Sequence, residues 1–141
     1  MVATQPTPPV RPERPLSPHI DLYRTQFTPI VSILHRLTGL ALAGGMVVFI
    51  AWLACLASGP TCYEWIMGLL TSPVGLFCLF GWTWSLFYHL STGVRHLVWD
   101  TGLFLEASRV APSGRIVIGV SVLLTLAVWL KFLGSGVCPW L

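Results

Sequence analysis

"LTGLALAGGMVVFIAWLACLA", residues 37 to 57, is a run of 21 amino acids without a charge. As a helix rising 1.5 Å per residue it reaches about 31 Å, which matches a hydrocarbon core of roughly 30 Å. The run therefore reads as a membrane span. On its N-terminal side, "FTPIVSILHR" (27–36) offers Thr28 as an N-cap and Pro29 at the first helical position, and on its far side "SGP" (58–60) supplies a stop. The first span is placed at about 29–57.

The rest of the chain repeats the pattern twice. "TSPVGLF" (71–77) gives a second start, with Ser72 as cap and Pro73 behind it, and the segment stays uncharged to Val94, for a span over about 73–97. The third covers about 115–133, interrupted only by Lys131, whose long stem reaches the interface from near a helix end, and Gly134 offers a stop. The chain is 55% hydrophobic and 9% charged, against about 25% charged residues in soluble domains. Three spans use nearly all of its 141 residues, so an all-α membrane protein without a separate soluble catalytic domain is expected.

A net charge of +3 is a weak nucleic-acid signal, and the basic residues read instead as topology determinants, with no nucleic-acid partner expected. Arg11, Arg14, Arg24 and Arg36 precede or open the first span; Arg95, Arg109 and Arg115 surround the link between the second and third. Seven of the eight basic residues thus fall on one side, which places the N-terminus inside and the C-terminus outside. Residues 1–27 read as a cytoplasmic, proline-rich tail and interfacial segment, 28–134 as the membrane domain, and 135–141 as an outer tail. Six prolines among the first 18 residues and the lack of an apolar core exclude a secretory signal there. "WDTGLFLEASRVAP" (99–112) suggests a short helix lying in the interface. No internal repeat supports a transporter of duplicated halves. The four cysteines lack metal-site spacing, and Cys62 and Cys138 share the outer side, which leaves a disulfide between them open.

Two clusters carry candidate chemistry. In "FYHLSTGVRHLVWD" (87–100), His89 and His96 lie seven residues apart and project from nearly one face, about 10 Å apart along the axis. Gly93 lies between them on that face, leaving the gap that a flat macrocycle ligated at His89 would need. Arg95 and His96, nearer the inner boundary, are placed to meet its propionates. The competing reading makes His89 an interhelical hydrogen-bonder, Gly93 a packing contact, and Arg95 and His96 interface anchors. In "SILHRLTG" (32–39), Ser32 and Arg36 share a helical face at the same boundary, offering a hydroxyl and a fixed positive fork to a carbonyl oxygen such as a quinone's. There the competing reading is a snorkelling Arg36 and a solvated Ser32.

Taken together, "RPLSPHIDLYR" (14–24), "SILHRLTG" and "HLSTGVRHLVWDTG" (89–102) resemble, in order, the cytochrome b membrane-anchor family of succinate dehydrogenase, respiratory complex II. The resemblance implies that Ser32 and Arg36 belong to a ubiquinone site, that His89 is an axial ligand of haem b, and that His35, Arg36, Arg95 and His96 lie near the haem. It implies a flavoprotein partner that oxidises succinate, an iron–sulfur partner, and a second small anchor. That anchor would complete a heterodimeric bundle, supply the other haem ligand and share the haem. It further implies an enzyme subunit without a complete active site of its own, in a bacterial inner membrane or, alternatively, a mitochondrial one. Two other functions stay open: a fumarate reductase anchor, and a haem-free assembly subunit in which His89 only bridges helices.

Overall fold

A computed structural model describes residues 27–104 and 106–135, the side chain of residue 107 excepted. The proline-rich tail through Gln26, with Arg11, Arg14 and Arg24, and the outer tail with Cys138 lie outside the described residues. Among the described residues there are four helices and no strand: α1 (Phe27–Ser58), α2 (Pro60–Leu70), α3 (Pro73–Asp100) and α4 (Ala107–Gly134). Helix α1 and, from Ser108, α4 are each long and apolar enough to cross a membrane. Helix α3 reaches that standard together with α2, from which it is bent by 77°.

The helix ends follow local chemistry. The Ser72 hydroxyl accepts from the Gly75 amide at 3.0 Å and Pro73 takes the first turn of α3, as expected of a capped start. Thr28 and Pro29, by contrast, lie inside the first turn of α1, so Thr28 does not cap it. The "SGP" stop is real but brief. Gly59 takes φ 111°, a conformation in which glycine escapes the Cβ clash, and Pro60 then opens α2 rather than an outer loop. At the second corner, a Cβ on Gly75 would run into the carbonyls of Leu69 and Leu70, so α2 and α3 meet at a separation that only glycine permits.

One open question is answered and one expectation is corrected. The Gly59 corner folds α2 back so that Cys55 and Cys62, with Cα atoms 4.9 Å apart, are disulfide-bonded; Cys62 is therefore not free to pair with Cys138. The separate interfacial helix is absent among the described residues: Leu103 and Phe104 lie in a turn after α3, and α4 begins at Ala107, eight residues before the expected start of the third span. Pro112 is the sixth residue of α4, close enough to its start that few backbone bonds are lost.

Helix α3 packs against both α1 and α4, while α1 meets α4 over a short stretch around Gly114, where Phe27 and Val31 approach its backbone. Val31, Tyr88 and Val117 form the buried apolar centre. The other buried residues are mostly small and polar: Thr38, Ser85, Thr92, Ser121 and Thr125. Those on α3 and α4 direct their hydroxyls to carbonyls of their own helix, as Thr92 does to Tyr88 at 2.8 Å and Thr125 to Ser121 at 2.7 Å. Such packing suits a bilayer, where apolar burial gives helices little reason to associate and small residues allow backbones to approach. The outward surface is apolar nearly throughout, with Leu40, Phe77, Val74 and Leu123 among its exposed side chains.

Candidate functional site

The start of α1 lies against the end of α3. Tyr88, fully buried, donates its hydroxyl to the Val31 carbonyl at 3.0 Å and fixes the register of the two helices. One residue on, His89 faces α1, where its ring stacks on that of His35 with centroids 4.0 Å apart and planes 13° apart. His96 approaches the other side of the cluster, its ring 5.5 Å from His35 and 5.5 Å edge-on to Trp99. The structure thus brings together three of the four histidines of the chain at one end of the helix pair.

The hydrogen bonds fix which nitrogen of His89 carries the proton. Nδ1 lies 3.1 Å from the backbone carbonyl of His35, and a carbonyl only accepts, so Nδ1 must donate. The Thr38 hydroxyl, 3.4 Å from the same nitrogen, already gives its hydrogen to that carbonyl at 2.9 Å and so presents only lone pairs to the ring. In the neutral ring Nε2 is then the nitrogen without a proton, and no hydrogen bond reaches it among the described residues. A neutral imidazole held by Nδ1 on a backbone carbonyl is the form in which histidine ligates metals.

Two glycines shape the surroundings of this ring in opposite ways. A Cβ on Gly93, one turn beyond His89, would meet nothing within 4 Å, so the surface between His89 and His96 is open. A Cβ on Gly39 would stand 3.0 Å from His89 Cε1, so this part of α1 must stay bare for the imidazole to lie against it. Thr38 and Gly39 both escaped the sequence reading, although they follow His35 by three and four residues and so share its face. One buried polar atom of the cluster, His35 Nδ1, has no hydrogen-bond partner among the described residues.

The remaining candidates go elsewhere. Ser32 and Arg36 are exposed on the neighbouring flank of α1, four residues apart on one face, and no described side chain hydrogen-bonds to either. Arg95 is turned away from the histidines. It is 9% exposed, its Nε donates to Ser113 Oγ and a terminal nitrogen to the Val110 carbonyl, both at 2.8 Å, and its guanidinium lies 3.9 Å from the centre of the Trp99 ring. Arg95 and His96 are adjacent in sequence but about 100° apart around the helix, which sends one to α4 and the other to the histidines. Among the described residues no group of three or more His, Cys, Asp or Glu side chains could enclose a metal ion.

Residues 10–128 match the family model described as "Succinate dehydrogenase/Fumarate reductase transmembrane subunit". The chain is 38% identical over 125 residues to a succinate dehydrogenase cytochrome b556 subunit of Paracoccus denitrificans, covering 86% of this chain and 94% of that one. It is 38% identical over 128 residues to a cytochrome b560 subunit of the same enzyme from Reclinomonas americana, covering 84% and 86%. A cytochrome b556 subunit of Rickettsia prowazekii is 36% identical over 117 residues, covering 83% and 91%. The chain belongs to the family of transmembrane subunits of succinate dehydrogenase and fumarate reductase.

Proposed function

We propose that the chain is the membrane-anchor cytochrome b subunit of a succinate:ubiquinone oxidoreductase, binding haem b through His89 and forming part of the ubiquinone-reduction site. The observation that carries this reading is the state of His89. Its Nδ1 is spent on the His35 carbonyl, its Nε2 is free, and the helix surface beyond it is open at Gly93. A macrocycle needs all three. On this reading His89 is the ligand that this chain supplies, and the second comes from a partner anchor of similar size, with which the chain shares the haem.

When bound, haem b supplies a one-electron store beside the quinone pocket. His35 holds the His89 ring by its carbonyl and by stacking, and His96 lies where it can meet a propionate. Ser32 and Arg36, exposed and sharing a face, form one wall of the quinone pocket. A quinone oxygen that accepts from both is held in place, and the guanidinium stabilises negative charge as the ring takes up two electrons and two protons. Arg95 serves the fold instead, through its bonds to α4.

The electrons come from an iron–sulfur subunit fed by a flavoprotein that oxidises succinate, both docked at the inner face. On this reading the N-terminus lies inside, in a bacterial inner membrane or, alternatively, a mitochondrial one. The family model covers both directions of the reaction, while the similar chains are named for succinate oxidation.

The test is a reduced-minus-oxidised visible spectrum of the purified complex, with two variants. His89→Ala is expected to abolish the b-type signal; its survival unchanged overturns the haem assignment. Arg36→Ala is expected to lower quinone reduction about 100-fold, as loss of a charged transition-state donor does, while succinate oxidation by an acceptor that draws electrons upstream is retained. Equal loss in both assays overturns the quinone role and makes Arg36 an assembly residue.

A further inference from the structure

We propose that Thr38 and Gly39 are positioning residues for the His89 imidazole, setting its basicity and the orientation of its plane. The inference rests on the reading of His89 as a haem ligand. It names what α1 contributes to a ligand carried by α3.

Thr38 is buried and its hydroxyl donates to the His35 carbonyl at 2.9 Å; His89 Nδ1 donates to the same oxygen at 3.1 Å. Two donors that share one acceptor weaken one another, because each draws on the same electron density. Removing the hydroxyl leaves the carbonyl to His89 alone and strengthens the remaining bond. More of the Nδ1 proton is then given up to the carbonyl, Nε2 becomes the stronger donor to a metal, and the oxidised state of that metal gains more than the reduced state. Thr38 therefore holds the strength with which Nε2 donates to a metal below what the bare carbonyl would set.

Gly39 acts on geometry. An added Cβ would stand 3.0 Å from His89 Cε1 and 3.5 Å from Nδ1, both atoms of a rigid ring that has no flexible end to swing away. The ring is also pinned on its other flanks, by the His35 carbonyl and by the His35 ring stacked 4.0 Å from it. A methyl group at residue 39 must rotate or displace the imidazole. Alanine favours helix more than glycine does, so a defect in Gly39→Ala originates in the contact and not in the backbone of α1.

The experiment compares the assembled complex carrying Thr38→Val, Gly39→Ala or His89→Ala with the parent. It measures haem content, the midpoint potential by redox titration, and the g-values of the ferric haem by electron paramagnetic resonance. Thr38→Val is nearly isosteric and is expected to keep its haem with a midpoint potential shifted downward. Gly39→Ala is expected to change the ferric g-values, which report the orientation of the ligand plane. A packing role alone moves neither. If His89→Ala loses the haem while Thr38→Val keeps or raises the parent potential and Gly39→Ala keeps the parent g-values, the positioning role is overturned and the ligand reading stands. If His89→Ala keeps its haem unchanged, the ligand reading fails and this inference falls with it.

Discussion

The two ends of the α1–α3 pair are built on different principles. Where α1 starts and α3 finishes, the contact is polar and each group is directional: Tyr88 to Val31, His89 to His35, Thr38 to the same carbonyl, and Arg95 reaching on to α4. Where α1 finishes and α3 starts, the helices line a cavity of about 880 Å³ walled almost wholly by apolar side chains, among them Phe49, Trp52, Val74 and Trp82. A single hydrogen-bonded partner fixes register to one residue, whereas apolar contact in a bilayer tolerates sliding. The polar end thus holds the geometry that a ligand needs, and the apolar end is left free to adapt to lipid.

The largest effect should come from breaking the polar end at Arg95. Arg95→Ala removes two hydrogen bonds from a charged donor, each contributing about 1.5–3 kcal/mol, and leaves the proline-containing start of α4 without its anchor. We expect a loss of about 3 kcal/mol, read as a lower thermal midpoint of the detergent-solubilised complex. Arg95→Lys should fall between, since an ammonium keeps the charge and loses the fork and the stacking on Trp99. A wild-type midpoint in Arg95→Ala would mean that this end does not depend on its polar contacts.

Arg95 also shows where the sequence stops being legible. A charged residue beside an apolar run is conspicuous, and so were His35, Arg36, His89, Arg95 and His96. Periodicity placed His89 and His96 on one face, where both reach His35. Grouping Arg95 with them relied on adjacency, and its partners Val110 and Ser113 lie 15 and 18 residues away on another helix. Helix α2 was hidden for another reason: eleven residues containing Glu64 are too short and too polar for a span, and the Gly59 corner that turns them into a helix looks like any loop. The same corner joins Cys55 to Cys62, whereas counting membrane sides only leaves a pairing of Cys62 with Cys138 open. Thr38 and Gly39 are ordinary span residues until a neighbouring imidazole is set against them.

At the apolar end the predicted effects are smaller. A Cβ on Gly45 would collide with the indole of Trp82, so Gly45→Ala is an overpacking change of the kind that costs about 1–3 kcal/mol. Trp82 lines the cavity and has space to move into, which places the expected loss near 2 kcal/mol. The haem spectrum should not change, because Tyr88 and His35 hold the other end independently. Haem loss in Gly45→Ala would show that the spacing of the helices is transmitted along α1 and that the two ends are one mechanical unit.

The smallest effect is expected from the disulfide. Cross-links stabilise chiefly by restricting the unfolded chain, with effects that range from about 0 to 5 kcal/mol. Here the cysteines are only seven residues apart, so the loop they close is short and little freedom remains to be restricted. Cys55→Ser with Cys62→Ser should therefore lower the thermal midpoint by the equivalent of about 1 kcal/mol. Cys55 follows His35 by 20 residues on α1, about 30 Å of helix, so haem content and quinone reduction should match the parent. A variant that kept its stability but lost quinone reduction would invert the comparison, since the disulfide would then be acting on the distant polar end rather than on the corner it closes.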